Sequence, residues 1–308
     1  EKNSIYPFTF LPNSIEEPLL IVGDKNKFQC LSNVCTHRAH LIIDKPCSKK
    51  KLRCKYHGRT FNMNGQFHSA PGFEKNKFFP QNSDNLNSIP LIKWNKFIFA
   101  SLEGKIDITP MLEDITTRLP NYPFDKLFFD SKNSQSWEIN THWALYCENY
   151  VEGFHVPFVH KGLSKEMDIA KYKTKLLPNS VLQIAECDSY FSVFENKNSD
   201  IKYPYAFYYW VFPNMMLNFY SWGLSINIIE PLSNKKTRIR FLSYSFNNTK
   251  QPQSGDASLN TVELEDQSVV LSVQRGIKSR FYQSGRYSAD HELGLHHFHL
   301  LLEKTLSI

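Results

Sequence analysis

The sequence predicts an α+β chain in two domains: a small all-β module, then a domain with helices packed on an antiparallel sheet. Three observations carry this reading. The 308 residues fit two domains of roughly 100–200 residues each. Short alternating apolar runs fill the first third and end near Leu102. Beyond about Trp137, longer β-rich runs alternate with stretches of helical period, the pattern of a mixed second domain.

Taken in order, Pro18–Val22, Lys27–Leu31, Lys51–Cys54 and Lys96–Ser101 read as strands, each bounded by Gly, Asn, Asp or Pro clusters. The domains are accordingly placed at 1–104 and 105–308. From Gly104 to about Trp137 the chain is a Pro-punctuated connector. It carries a helix over Thr109–Leu119, with Thr109 as N-cap and Pro110 as first helical residue. A helix then carries Trp143 to His155. Strands follow near Ser180–Phe194, Tyr205–Leu217, Leu224–Glu230 and Thr237–Phe246. Helices over Leu259–Gln274 and Ala289–Leu302 close the chain.

Composition narrows the function. Apolar residues make up 41% and charged residues 21%, enough for a sizeable core and unlike a disordered chain. No run approaches ~18 uninterrupted apolar residues, so no transmembrane helix is expected. The net charge of +6 comes from Lys scattered among Asn and Asp. With no basic stripe, no nucleic-acid partner is expected. Six cysteines are too few for a disulfide scaffold, and their clustering with His points to metal. The chain opens with Glu1 rather than Met and shows no charged-then-apolar leader; a leader could have been present and removed, or the fragment could start late, and a reducing, cytoplasmic compartment is taken as the default.

The first metal candidate is Cys35-Thr-His37 followed by Cys54-Lys-Tyr-His57, with 16 residues between His37 and Cys54. Two thiolates and two imidazoles from two turns suit either structural zinc or a [2Fe–2S] centre with two His on one iron. Zinc sites usually pair Cys with Cys and His with His in sequence. Here each loop donates one of each, which a cluster needs when one iron takes both Cys and the other both His. The remaining cysteines, Cys30, Cys47, Cys147 and Cys187, read as ordinary thiols.

The second candidate is Glu152-Gly-Phe-His155-Val-Pro157-Phe-Val-His160. Glu152 and His155 are three apart and share a helix face. His155 and His160 are five apart, about 140° around an ideal helix. Pro157 between them should kink or end the helix, and the distortion can bring both imidazoles to one metal. Two His and one carboxylate with open positions opposite form the ligand set of non-heme Fe(II) oxygenases.

The first motif resembles the Rieske module, with Arg38 and Gly58 where that family has them. With the second motif and Glu-Asp266 followed by Gln274-Arg-Gly276, most of the chain resembles the catalytic α subunits of Rieske non-heme iron ring-hydroxylating oxygenases. The resemblance implies Cys35, His37, Cys54 and His57 as ligands of a [2Fe–2S] cluster. It also implies His155, His160 and Asp266 as ligands of mononuclear Fe(II), with Glu263 and Glu265 as the alternative carboxylates. The catalytic domain would be of helix-grip (START/Bet v1-like) type. A separate flavin and iron–sulfur reductase would supply electrons from NAD(P)H, since no Gly-x-Gly-x-x-Gly follows a strand here. A homo-oligomer, most simply a head-to-tail trimer, is expected, with transfer between neighbouring subunits.

Most of that family has Asp three residues before the first iron His, bridging the neighbouring subunit's cluster to the iron site. Glu152 here resembles the branch that oxidises carnitine, choline or betaine-type compounds. It is the expected electron and proton bridge. A quaternary ammonium or N-methyl compound is thus the expected substrate beside O₂, with an aromatic acid or ring as alternative. A different class, an electron carrier or ligand-binding protein without oxygenase activity, stays open. Tyr205–Phe212, Phe219, Tyr220 and Trp222 read either as packing and subunit contact or as an aromatic pocket for a ring or ammonium group. The His296/His299 tract reads as part of an amphipathic terminal helix.

Overall fold

The computed structural model describes residues 3–23, 27–104, 107–246 and 258–306. Its contacts divide the chain into two units, Glu1–Ile106 and Asp107–Ile308.

The first unit is all β: β1 (Ser4–Phe10), β2 (Glu17–Gly23), β3 (Phe28–Ser32), β4 (Cys47–Ser48), β5 (Leu52–Arg53), β6 (Thr60–Phe61), β7 (Phe67–Ser69), β8 (Ser88–Ile89), β9 (Leu91–Trp94) and β10 (Phe97–Ala100). They form a five-stranded sheet ordered β4-β1-β2-β3-β8, a three-stranded sheet β5-β6-β7 and a hairpin β9-β10. One core cluster joins Ile5, Leu20, Val22, Leu31, Leu52 and Phe61 to Cys35 and Cys54. The two ligand-candidate thiols are therefore rooted in the packed interior.

The second unit contains α1 (Thr109–Arg118), β11 (Leu127–Phe129), β12 (Gln135–Ile139), α2 (Trp143–Tyr150), α3 (Val156–Val159), α4 (Leu163–Glu166), β13 (Asp168–Leu177), β14 (Ser180–Glu186), β15 (Pro204–Val211), β16 (Met215–Tyr220), β17 (Gly223–Ser233), β18 (Lys236–Phe246), α5 (Leu259–Gly276) and α6 (Leu293–Leu306). Its antiparallel sheet runs β11-β18-β17-β16-β15-β14-β13, and β12 also pairs with β18. Helix α2 packs on α5 and β17, and α6 packs on β13.

Every residue of β14 is buried, so the sheet is covered on both faces rather than on one. Pleat alternation sorts its aromatics. Tyr208 lines an internal cavity, while its neighbour Tyr209 donates to Asp114 of α1 at 2.7 Å. No helix among the described residues is long and apolar enough to cross a membrane.

Several local expectations need correction. The N-cap of α1 is Ile108 and Thr109 is already helical; one residue before the cap, Asp107 Oδ1 accepts from Thr109 N–H at 2.8 Å. The helix expected to run from Trp143 to His155 stops at Tyr150. Pro157 does not break it but sits in the first turn of the separate α3, where its missing N–H costs no helical bond. The segments Ser180–Phe194 and Tyr205–Leu217 are shorter strands divided by turns. Both β1 and β13 were unforeseen, because their partly exposed faces blur the apolar alternation.

Candidate metal centres and substrate cavity

The two ligand-candidate loops of the first unit are built alike. Cys35 C=O accepts from Ala39 N–H at 3.0 Å, and Cys54 C=O accepts from Gly58 N–H at 3.1 Å. Cys35 N–H donates to His40 C=O, and Cys54 N–H to Arg59 C=O. Each turn closes through a left-handed residue, Ala39 at φ 54° and Gly58 at φ 74°. The reversal lets Cys point into the core and the His two or three residues on point outward. Cys35 and Cys54 are buried, while His57 is exposed and His37 half-buried.

The thiols of Cys35 and Cys54 lie within hydrogen-bonding reach of each other, and burial raises the pKa of Cys35. The rings of His37 and His57 meet edge to face with centroids 4.7 Å apart. Burial lowers the pKa of His37, with repulsion from His57, Arg59 and Arg38 acting the same way, which favours the neutral, ligating imidazole. A thiol pair and an imidazole pair, each brought together, fit a binuclear cluster in which each pair holds one iron.

Arg59, which sequence reasoning missed, braces this region. It is 3% exposed, pairs with Asp84 at 3.0 Å and donates to Thr36 Oγ1 at 2.8 Å. Thr36 lies between the ligand candidates Cys35 and His37. The rings of Phe67, Phe73 and Phe79 surround the guanidinium. Its position directly after the His57-Gly58 turn was the available signal.

In the second unit, ligand atoms of His155, His160 and Asp266 all lie within 4.8 Å of one another. His155 caps α3 and His160 ends it, so one short helix spaces the two imidazoles. Asp266 comes from α5. Asp266 Oδ1 lies 3.0 Å from His160 Nε2 and 3.6 Å from His155 Nε2. Both Nδ1 atoms are held from behind by carboxylates: Glu152 Oε1 on His155 at 2.5 Å and Glu265 Oε2 on His160 at 2.7 Å. Each imidazole is thereby locked with Nε2 facing Asp266. Burial opposes protonation of His160, but hydrogen bonds and charge from Asp266 and Glu265 outweigh it, so the net pKa is raised. Two neutral N donors and one carboxylate O fit a mononuclear Fe(II) site.

The turn before α3 is shaped for this. The second Glu152 oxygen accepts from the N–H groups of Phe154 and His155, filling orphan donors at the start of α3. A Cβ on Gly153 would sit 2.4 Å from the Tyr172 ring, so only glycine lets the sheet approach so closely. Asn149 also escaped the sequence reading. It donates to Asp266 Oδ1 at 2.6 Å and sets the carboxylate's orientation.

A cavity of about 120 Å³ opens onto His155, His160 and Asp266. Tyr172, Tyr205, Tyr208 and Tyr220 line it, so the predicted aromatic run contributes only some of its rings; Trp210 is fully buried elsewhere. Burial raises these phenol pKa values, keeping them neutral. Asn149, Gln183, Asn218, Ser225 and Asn227 add a polar wall. The ionisable lining consists of tyrosines, the two His and the carboxyls Glu152, Glu263 and Asp266, with no Lys or Arg among the described residues.

Residues 129–307 match the family model for the ring hydroxylating alpha subunit (catalytic domain), and 11–90 match the Rieske [2Fe-2S] domain. The chain is 30% identical to the chloroplastic choline monooxygenase of Amaranthus tricolor, over 94% of this chain and 67% of that protein. It is 26% identical to the carnitine monooxygenase oxygenase subunit of Escherichia coli strain K12, over 94% and 81%. It thus spans about two thirds of the length of several choline monooxygenases it matches. The fold matches the quaternary ammonium Rieske monooxygenase CntA in complex with L-carnitine at TM-score 0.70, with 20% identity over 99% of this chain and 85% of that one. It also matches naphthalene 1,2-dioxygenase from Rhodococcus sp. at TM-score 0.68 and 15% identity, over 99% and 86%.

Proposed function

This chain belongs to the Rieske-type ring-hydroxylating alpha subunits, and from that premise we propose that it is a terminal oxygenase acting on a quaternary ammonium or N-methyl compound. The family's cofactors are a [2Fe–2S] cluster and mononuclear iron, with electrons from a separate reductase. We assign the cluster to Cys35, His37, Cys54 and His57, and the iron to His155, His160 and Asp266. The carrying observation is the cavity beside those three ligands: six tyrosines, three carboxyls and no Lys or Arg. Ring faces attract an ammonium group, whereas an aromatic acid would enter with no partner for its carboxylate.

When bound, the cluster supplies single electrons and the iron activates dioxygen. One oxygen atom enters a substrate C–H bond; the other leaves as water with two protons and two electrons. The protein's part is positional. Glu152 and Glu265 hold both imidazoles by Nδ1, Asn149 steers Asp266, and the tyrosines exclude water while seating the head group. Glu152 is also the proposed bridge for electrons and protons arriving from a neighbouring subunit's cluster. We accordingly propose a homo-oligomer, most simply a trimer. Exposed Phe154 and Phe158, which follow Glu152 in the sequence and touch edge to face, offer that neighbour an apolar contact.

Anaerobically reconstituted protein should contain three irons and two acid-labile sulfides per chain. With a surrogate reductase it should consume O₂ faster on adding choline, and not on adding benzoate. Stimulation by benzoate alone would overturn the substrate assignment, and two irons with two sulfides would leave only an electron carrier.

A further inference from the structure

We propose that Glu263 is the counter-ion by which this cavity selects a cationic head group, a specificity-determining carboxylate one helical turn before Asp266. The inference rests on the ammonium-oxidising reading above and names the residue that enforces it. Glu263 is 1% exposed and lines the cavity. Its two oxygens accept from the Tyr146 hydroxyl and from Gln267 Nε2, the latter at 2.8 Å. Both donors are neutral.

Two other carboxylates of the second unit, one buried and one partly buried, are paired differently. Glu230, also 1% exposed, faces Arg238 and Arg240 at 3.5 and 3.4 Å. Asp114 takes Arg118 and Lys175 at 3.1 and 2.7 Å. Glu263 alone of these three has no cation among the described residues, and a buried carboxylate without one is costly. Its ionisable neighbours are Tyr146 from α2 and Asp266 from its own helix, with Tyr172, Tyr205, Tyr208 and Tyr220 across the cavity. Burial pushes the Glu263 carboxyl up to about 8, and Asp266 adds to the rise against the hydrogen bonds of Tyr146 and Gln267.

An arriving ammonium ion supplies the missing charge. The carboxylate is then stabilised from one side while the tyrosine ring faces hold the methyl groups from the other. A neutral molecule of the same shape gains the ring contacts but not the charge pairing. An anionic one meets repulsion.

The test compares choline with its uncharged isostere 3,3-dimethylbutan-1-ol by equilibrium dialysis against the metal-loaded protein. The native chain should bind choline at least about tenfold more tightly, the factor equivalent to about 1.4 kcal/mol. E263Q should lose most of that preference while binding the alcohol within about twofold of the native value. A merely structural Glu263 would move both ligands together. E263Q that keeps the full preference overturns the role of Glu263 and leaves the ammonium reading standing. A native protein with no preference overturns both. Should E263Q fail to accumulate folded, E263D retains the charge and must retain the preference; losing it while the alcohol still binds refutes the proposal.

Discussion

Glu265 provides a sharp test of how the iron site is held. Its Oε2 accepts from His160 Nδ1 at 2.7 Å, and His160 is only 2% exposed. Replacing Glu265 with Gln keeps an acceptor in place but removes its charge, turning a charge-assisted hydrogen bond into a neutral one of about half the strength. Loss of such a partner behind a metal-bound imidazole typically weakens metal binding about 10–100-fold, about 1.4–2.7 kcal/mol. The Glu265 side chain is 33% exposed, so solvent screens part of its charge and the effect should fall near tenfold. Anaerobic Fe(II) titration against a chromophoric chelator reads the affinity. The visible absorbance of the cluster, bound in the other unit, serves as internal control. An E265Q affinity within twofold of the native value would show that His160 is oriented by packing alone.

Three further outcomes follow from other contacts. D84A should strand the buried Arg59 guanidinium at a cost of about 3–5 kcal/mol, seen as faster bleaching of the cluster and a lower urea midpoint; a native bleaching rate would refute the bracing role. E152Q should retain three irons per chain yet lose coupled product formation, and undiminished product would refute its bridging role. In the metal-free protein the raised pKa of His160 contributes stability that is fully present below about 6.5, the ordinary histidine value, and is lost as pH rises through the folded value. The denaturant midpoint of metal-free protein should therefore fall as pH rises above about 6.5, and H160N should flatten that fall.

The candidate cluster loops and candidate iron ligands were legible as motifs because such chemistry forces rare residue types into fixed local spacings. Cys35-x-His37 and Cys54-x-x-His57 each lie within one turn. His155 and His160 flank one short helix. Less legible was whatever depended on contacts distant in sequence. Asn149 meets Asp266 across 117 residues, Tyr146 meets Glu263 across 117, and Arg59 meets Asp84 across 25. None of these pairs leaves a local pattern. The misplaced end of the helix before the iron ligands has a similar cause. Glu152 could satisfy Phe154 and His155 N–H groups only once Gly153 had let Tyr172 close over the turn, a tertiary event that outweighs helical propensity.

The same carboxylates that orient the imidazoles also bear on substrate charge. Glu152, Glu265 and Asp266 surround two neutral imidazoles, so with a divalent ion bound the ionised set carries one negative charge in excess. No Lys or Arg of the cavity wall offsets it, and Glu263, when ionised, doubles it. In a site walled by buried rings that excess acts at low effective dielectric, where it favours a cation and repels a carboxylate. Geometry needed to hold the metal and selectivity for an ammonium head are thus linked through shared residues. Neutralising Glu152 or Glu265 should therefore weaken choline binding as well as iron chemistry, whereas removing a tyrosine ring such as Tyr208 should weaken choline binding and leave iron affinity intact.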